Sequence, residues 1–364
     1  MAKPVKLVAA NDTFGALVAV TEALAGKHAL FITPPETNGL MPEVHGLPDE
    51  VDDDVAFIVQ SSGSTGTPKL IELSAEAAIA SAKATAERLG GSGQWLLALP
   101  LNYIAGLNVL VRSAVAETQP VMMNPSVSFT AEAFLASTSF LRSDKKFTAL
   151  VPTQLSRLAI AAQHDASVLQ ALQSYSAILV GGQATAPALL AELRQQKVNV
   201  IETYGAAETF GGVVYDGVAL AGVEVSLDSE SRIQISSLAG KFQSNDLGEI
   251  VDGKLHVLGR SDRVINSGGI KVSLDRVEAI AREVAGVVEM VAAPITDREW
   301  GQRVGVIYLG SPEVAEEIAT QLADLLGPAA KPLRVLRVDL VPKLSNGKYD
   351  LLTAAALFEK ERND

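Results

Sequence analysis

The sequence has no cysteine among its 364 residues, which removes disulfides, thiolate nucleophiles and cysteine-based zinc centres together. Histidine is scarce as well. His28, His45, His164 and His256 lie far apart, a pattern that offers no imidazole metal cluster. Basic charge is in short supply, with 30 Lys+Arg against 42 Asp+Glu and a formal net charge of −12. Such a chain repels a polyanion as a whole, so no nucleic-acid partner is expected. Any phosphate ligand must be held by local loops and a few placed cations. No apolar run approaches the roughly 18 residues of a bilayer-spanning helix, so no membrane insertion is expected. The first ten residues carry two lysines and only a short apolar run, which is not the form of a secretory signal. These absences lead to the expectation of a cytoplasmic protein.

What remains is an ordinary globular composition, 48% hydrophobic and 20% charged. At roughly 100–200 residues per domain, the length suggests two domains. Short apolar runs at 55–60 (VAFIVQ), 95–99, 120–123, 147–151, 177–180 and 198–201 read as buried strands. Ala- and Leu-rich stretches of helical spacing separate them, the clearest at 74–89. This alternation predicts an α/β fold with mostly parallel sheets flanked by helices. From about residue 222 the runs shorten (223–227, 232–236, 249–251, 255–258) and turn signals such as Asp252-Gly253 appear, predicting a small antiparallel β region. After Arg260, helices at 274–284 and 313–326 and strands at 287–292, 304–309 and 335–340 predict a compact α+β unit. The expected division is therefore a large N-terminal domain at 1–259, a short hinge at 260–263 and a small C-terminal domain at 264–364.

The strongest local signal is Ser61-Ser62-Gly63-Ser64-Thr65-Gly66-Thr67-Pro68-Lys69, between an apolar strand and a second short apolar stretch. Glycines let backbone N–H groups converge on an anion, hydroxyls add donors, and Lys69 brings charge at the exit. It is not a Walker A loop, because the glycines are only three apart and Pro68 precedes the lysine. A polar turn is the plainer alternative.

This loop resembles the phosphate-loop signature of the adenylate-forming superfamily, which includes acyl-CoA synthetases, adenylation domains and luciferases. Four further segments resemble that superfamily's motifs in the same order: Thr203–Thr209 (TYGAAET), Asp246 in SNDLG, Gly259–Arg263 (GRSDR) and Pro342–Lys348 (PKLSNGK). The resemblance implies a carboxylate attacking the α-phosphate of ATP, then coenzyme A displacing AMP to give a thioester. It also implies a mobile C-terminal domain and allows a homodimer.

On that resemblance Lys348 serves the adenylation step, Glu208 helps hold Mg²⁺, and Ser61, Ser62, Gly63, Ser64, Thr65, Gly66 and Lys69 cradle phosphates. Asp246, with Arg260 assisting, would accept hydrogen bonds from the ribose. Tyr204, Gly205 and the Gly181-Gly182-Gln183 loop would line the adenine and acyl pocket, although Tyr204 and Gln183 are equally open to a packing role. Asp262 is the expected hinge, the alternative being a salt-bridged surface aspartate. Gly269, in Ser267-Gly268-Gly269, would line a channel for the pantetheine arm. Two positions depart from the pattern: Ala207 stands where a threonine is usual, with Thr209 or Thr65 as the hydroxyls able to compensate, and Asn245 replaces a glycine.

Two longer stretches, 99–113 (LPLNYIAGLNVLVRS) and 149–158 (ALVPTQLSRL), resemble segments of 2-succinylbenzoate–CoA ligases of menaquinone biosynthesis. That substrate has two carboxylates, of which one is activated and the other must be bound without reacting. Arg112, among apolar neighbours on an expected helix, needs a partner and is the candidate anchor, with Tyr103 and Gly181 also in the substrate site. A structural ion pair or a snorkelling side chain is the alternative for Arg112. Other aryl- or acyl-CoA ligases, an enzyme that loads a carrier protein, and a non-catalytic binding module stand beside this reading.

Overall fold

The computed structural model describes residues 2–38, 40–61, 69–125, 127–344 and 349–360. The chain forms two compact units, Met1–Val225 with Ile235–Phe242, and Ser226–Gln234 with Gln243–Asp364.

The first unit holds two sheets. One is built from β1 (Ala2–Ala9), β2 (Ala29–Thr33), β3 (Glu50–Asp52), β4 (Val55–Ser61) and β5 (Lys69–Ser74), in spatial order β3-β1-β2-β4-β5. β1, β2 and β4 run parallel, and β3 and β5 add antiparallel edges. Helix α1 (Thr13–Leu24) makes the crossover from β1 to β2, with the Asp12 side chain capping its first turn. Helix α2 (Ala75–Arg88) follows β5 and is capped by Ser74.

The second sheet contains β6 (Gln94–Leu97), β7 (Val121–Met122), β8 (Lys146–Leu150), β9 (Ala177–Gly181), β10 (Val200–Ala206), β11 (Gly211–Tyr215) and β12 (Val218–Ala219). Its order is β12-β11-β10-β9-β8-β6-β7, parallel from β7 through β10 and antiparallel beyond. Helices α3 (Ile104–Val115), α4 (Ala131–Thr138), α5 (Pro152–Ala162), α6 (Ala166–Gln173) and α7 (Pro187–Gln195) make the crossovers. The strands at the centre are buried on both faces, as the apolar run of β9 requires, and in β8 the buried Thr148 hydroxyl donates to Leu96 O at 3.0 Å. One core joins α1, α2 and α3 to Phe57, Trp95 and Phe147, and a second, on the far face, centres on Phe134, Leu155 and Tyr175.

β13 (Glu224–Leu227), β14 (Arg232–Ser237), β15 (Gly240–Val251) and β16 (Lys254–Arg260) form the antiparallel region, and the division between the units falls within β13–β15. The second unit continues with β17 (Val264–Ser267), β18 (Ile270–Ser273), α8 (Leu274–Arg282), β19 (Val287–Asp297), β20 (Gly301–Gly310), α9 (Ala315–Leu326), β21 (Arg334–Arg337) and α10 (Leu351–Lys360). β19 and β20 pair along their length, and α8 and α9 cover one face through Val277, Ala281, Ile318 and Leu322. Val341, Ala354 and Phe358 close the other face. Among the described residues no helix is long and apolar enough to cross a membrane.

Candidate functional site

In a parallel sheet, ligands are held beyond the carboxyl ends of the strands, where crossover loops gather. The register of β9 on β10 pairs Gly181 with Thr203 and so sets the two loops that follow these strands side by side. Gly181 must be glycine, since a Cβ there would lie 2.4 Å from Thr203 Oγ1. Gly182, exposed, turns with φ +83°, and Gln183 is half-buried. Beyond β10 the half-buried Tyr204 and the exposed Gly205 lead into a 3₁₀ turn, Ala207–Thr209, that carries Glu208.

That turn is tightly specified. The Thr209 hydroxyl donates to Gly211 O at 2.8 Å and accepts the Ala206 N–H at 2.9 Å. It is committed to the backbone, so Thr209 does not replace the hydroxyl lost at Ala207. Phe210 follows in the left-handed region at φ 56°, a costly conformation for an aromatic residue. Its carbonyl accepts a hydrogen bond of 2.7 Å from the buried Asn108 amide of α3. Asn108 therefore ties α3 to the turn bearing Glu208. The sequence offered one signal for it, an amide inside the apolar helix LNVLV. Glu208 is half-buried and has no ion-pair partner among the described residues, leaving its carboxylate available to a hard cation.

Ser61 and Lys69 form a backbone pair at the ends of β4 and β5. Ser62, Gly63, Ser64, Thr65 and Gly66 lie outside the described residues, as does Lys348.

Tyr103 sits half-buried at the N-terminus of α3. Arg112 lies nine residues further along the same helix, about 13 Å by the rise of 1.5 Å per residue. It is only 6% exposed. Its Nη2 donates to Tyr215 Oη at 3.2 Å, which in turn shares a 3.1 Å hydrogen bond with Thr85 Oγ1. Its guanidinium lies 5.0 Å over the Trp95 ring, and Nε has no hydrogen-bond partner among the described residues. No carboxylate pairs with Arg112 among the described residues, so the structural ion pair offered as its alternative is not present there. Beside it is a cavity of about 130 Å³ lined by Lys83, Thr85, Trp95, Arg112 and Phe147. The sequence reading missed Tyr215 and Thr85, which the fold brings to Arg112 from distant segments.

The second unit carries the remaining candidates. Asp246 and Arg260 are backbone partners across β15 and β16, with Arg260 Nη1 3.7 Å from the Asp246 carboxylate. Arg260 also grips Asp262 through Nε at 2.8 Å and Nη2 at 2.5 Å. This fork holds the Asp262 carboxyl below the usual range. The salt-bridged aspartate weighed from the sequence is therefore seen, and it shares its residue with the expected hinge. Gly269 is exposed with φ +88° in the turn between β17 and β18, while the preceding Gly268 has Trp300 packed where a side chain would go. No group of three or more metal-ligating side chains occurs among the described residues.

The AMP-binding enzyme family matches residues 7–258. The probable 2-succinylbenzoate–CoA ligase of Mycobacterium tuberculosis (strain ATCC 25618 / H37Rv) is 34% identical over 95% of this chain and 95% of its own length. The 2-succinylbenzoate–CoA ligase of Escherichia coli (strain K12) is 29% identical over 79% of this chain and 65% of its own. Among solved structures, o-succinylbenzoate CoA synthetase from Bacillus subtilis, in complex with the acyl-adenylate intermediate OSB-AMP, superimposes with a TM-score of 0.76 at 20% identity, covering 96% of this chain and 87% of that one. The amide bond synthetase McbA from Marinactinospora thermotolerans gives 0.77 at 19% identity, over 98% and 90%. These two share the fold. The chain belongs to the AMP-binding enzyme family.

Proposed function

We propose that this protein is an ATP-dependent ligase that converts 2-succinylbenzoate to its CoA thioester through an acyl-adenylate, a step of menaquinone biosynthesis. The likeness to 2-succinylbenzoate–CoA ligases, over 95% of the chain for the relative from Mycobacterium tuberculosis and 79% for that from Escherichia coli, supports it. The single structural observation that carries the choice of a diacid is Arg112, a buried cation whose Nε is unpaired among the described residues, with a cavity at its side. A cation held in that way is costly unless an anion completes it, and the unreacting carboxylate of a diacid is such an anion. The cavity also takes in Leu89, Gly91, Val115 and Ala116, so it lies at the C-terminal end of α3.

In the first step a carboxylate oxygen bonds to the α-phosphorus of ATP as the bond to pyrophosphate breaks. Both reactants are anionic, so alignment and charge neutralisation dominate the barrier. The 61–69 loop and Lys348 would supply donors and charge, and Asp246 with Arg260 would hold the ribose. Mg²⁺, a hard cation suited to the open Glu208 carboxylate, would add positive charge at the phosphate oxygens. In the second step the CoA sulfur bonds to the acyl carbon and AMP leaves. Residues 260–263 would serve as the hinge between a domain at 1–259 and one at 264–364, presenting Lys348 first and the Gly269 turn second.

Pyrophosphate exchange into ATP that depends on 2-succinylbenzoate tests this reading. A non-catalytic binding module gives no exchange, and a ligase for monoacids gives exchange with benzoate or octanoate instead.

A further inference from the structure

Asn108 is 2% exposed in the middle of α3, with Leu107, Val109 and Leu110 of the apolar core around it. An amide in such a place costs free energy unless both its ends are satisfied. Only one is. Nδ2 donates to Phe210 O at 2.7 Å, and Oδ1 has no hydrogen-bond partner among the described residues. By burial alone leucine would suit this position better, so the amide serves something other than the stability of the helix. What it serves is the turn after β10. Phe210 closes that turn with φ 56°, its ring fully buried and edge-on to Phe57 at 5.8 Å. Its N–H donates back to Ala207 O at 3.1 Å, and the Thr209 hydroxyl bonds the backbone on either side. These contacts lie within the turn or fix the ring, whereas the Phe210 carbonyl is held from outside, by Asn108. A carbonyl can only accept, so the nitrogen of the amide must face it. Gly211 leaves room for that nitrogen, since a Cβ there would collide with Nδ2. Ile104, Asn108 and Arg112 recur at every fourth residue on one face of α3, and this face lies along β11, where Arg112 meets Tyr215.

We propose that Asn108 is a positioning residue for adenylation: its amide holds Phe210 in the left-handed region and so fixes the direction in which Glu208, two residues earlier, presents its carboxylate to Mg·ATP. This rests on the reading of Glu208 as the residue that meets Mg²⁺. Without the amide, the left-handed backbone loses the hydrogen bond that offsets its strain, and Phe210 is free to turn toward the extended region. Glu208 then keeps its charge and loses its aim. Asn108 touches neither reactant in this scheme.

The test is Asn108→Leu in the full chain, which is branched like asparagine at Cγ and has no donor. Three quantities are read: Tm, hydrogen exchange of the backbone at 206–211, and ATP affinity by calorimetry with Mg²⁺ and with EDTA. Exchange at 206–211 should rise about tenfold and affinity for ATP with Mg²⁺ should fall about tenfold, the scale of one buried hydrogen bond. ATP with EDTA binds as in the parent protein, and Tm moves by only a few degrees. Asn108→Asp adds a pH signature, because a buried protonated carboxyl can donate to Phe210 O and an ionised one cannot. Its affinity for Mg·ATP approaches the parent value as pH falls, a trend that Asn108→Leu lacks. Equal weakening of ATP with and without Mg²⁺, unchanged exchange at 206–211, or the same pH trend in both variants overturns the proposal. Glu208→Gln separates it from the reading beneath it. If that variant binds ATP with Mg²⁺ as tightly as the parent, the reading of Glu208 fails and the proposal with it; if it loses that affinity and Asn108→Leu keeps it, the proposal alone fails.

Discussion

Replacing Arg112 with methionine separates a structural arginine from a substrate anchor, because the two roles predict different magnitudes. On the stability side, the variant loses a hydrogen bond of 3.2 Å to Tyr215 and a ring contact of 5.0 Å with Trp95. A charged hydrogen bond contributes about 1.5–3 kcal/mol, and a desolvated cation–π contact about 2 kcal/mol. Against these stands the removal of a buried cation lacking a carboxylate partner among the described residues, whose desolvation costs several kcal/mol. The contributions oppose one another and methionine refills the stem, so Tm should move by only a few degrees. No such cancellation protects the reaction. A buried carboxylate deprived of its cation costs about 2–5 kcal/mol. At 1.36 kcal/mol per decade, this is a fall in kcat/KM of about thirtyfold or more. The assay is steady-state AMP release with 2-succinylbenzoate and with its reactive monoacid analogue, which lacks the spectator carboxylate. The diacid should lose at least that factor through KM, while the analogue and ATP keep their constants. Equal losses for diacid and monoacid would refute the reasoning.

Three other outcomes follow from the geometry. Asp262→Pro removes the carboxylate gripped by Arg260 and fixes the backbone at the expected hinge, so it should slow thioester formation far more than adenylation; equal slowing in single-turnover assays speaks against the hinge. Gly205→Ala would put a Cβ 1.9 Å from Gly211 O, a backbone atom with no side chain to yield, and should cost about 1–3 kcal/mol in thermal unfolding. An unchanged Tm would contradict the pairing of β10 with β11. Glu202 is held above its ordinary value of 4.5, by burial first and with Asp216 adding to it against Arg194. The folded state therefore binds this proton more tightly than the unfolded one, and stability falls as pH rises from 4.5 through the raised value. Glu202→Gln should accordingly raise Tm at neutral pH and lose that advantage below pH 4.5; a constant difference across the range would remove the electrostatic explanation.

The strands at 55–60, 147–151 and 177–180 were legible because strands buried on both faces read as mostly apolar runs, broken here only by Thr148 and the terminal Gln60. The first fifty residues were not. β1 interleaves lysines with valines, and α1 is so nearly apolar along TFGALVAVTEAL that its helical period is faint. β19 and β20 run past their apolar stretches to Asp297 and Gly301, because the ladder continues through backbone hydrogen bonds whatever the side chains are. The motifs around Glu208, Asp246 and Arg260 could be read from order and residue type. Their supports could not: Asn108 meets Phe210, and Tyr215 meets Arg112, each across about a hundred residues.

The decisive experiment is thioester formation with ATP, Mg²⁺ and CoA, comparing 2-succinylbenzoate with benzoate and octanoate. A CoA thioester and stoichiometric AMP are expected with 2-succinylbenzoate, and little product with either monoacid. Turnover of a monoacid in preference to the diacid would contradict the assignment of the substrate and of Arg112, and absence of AMP release with all three would contradict the assignment of the activity itself.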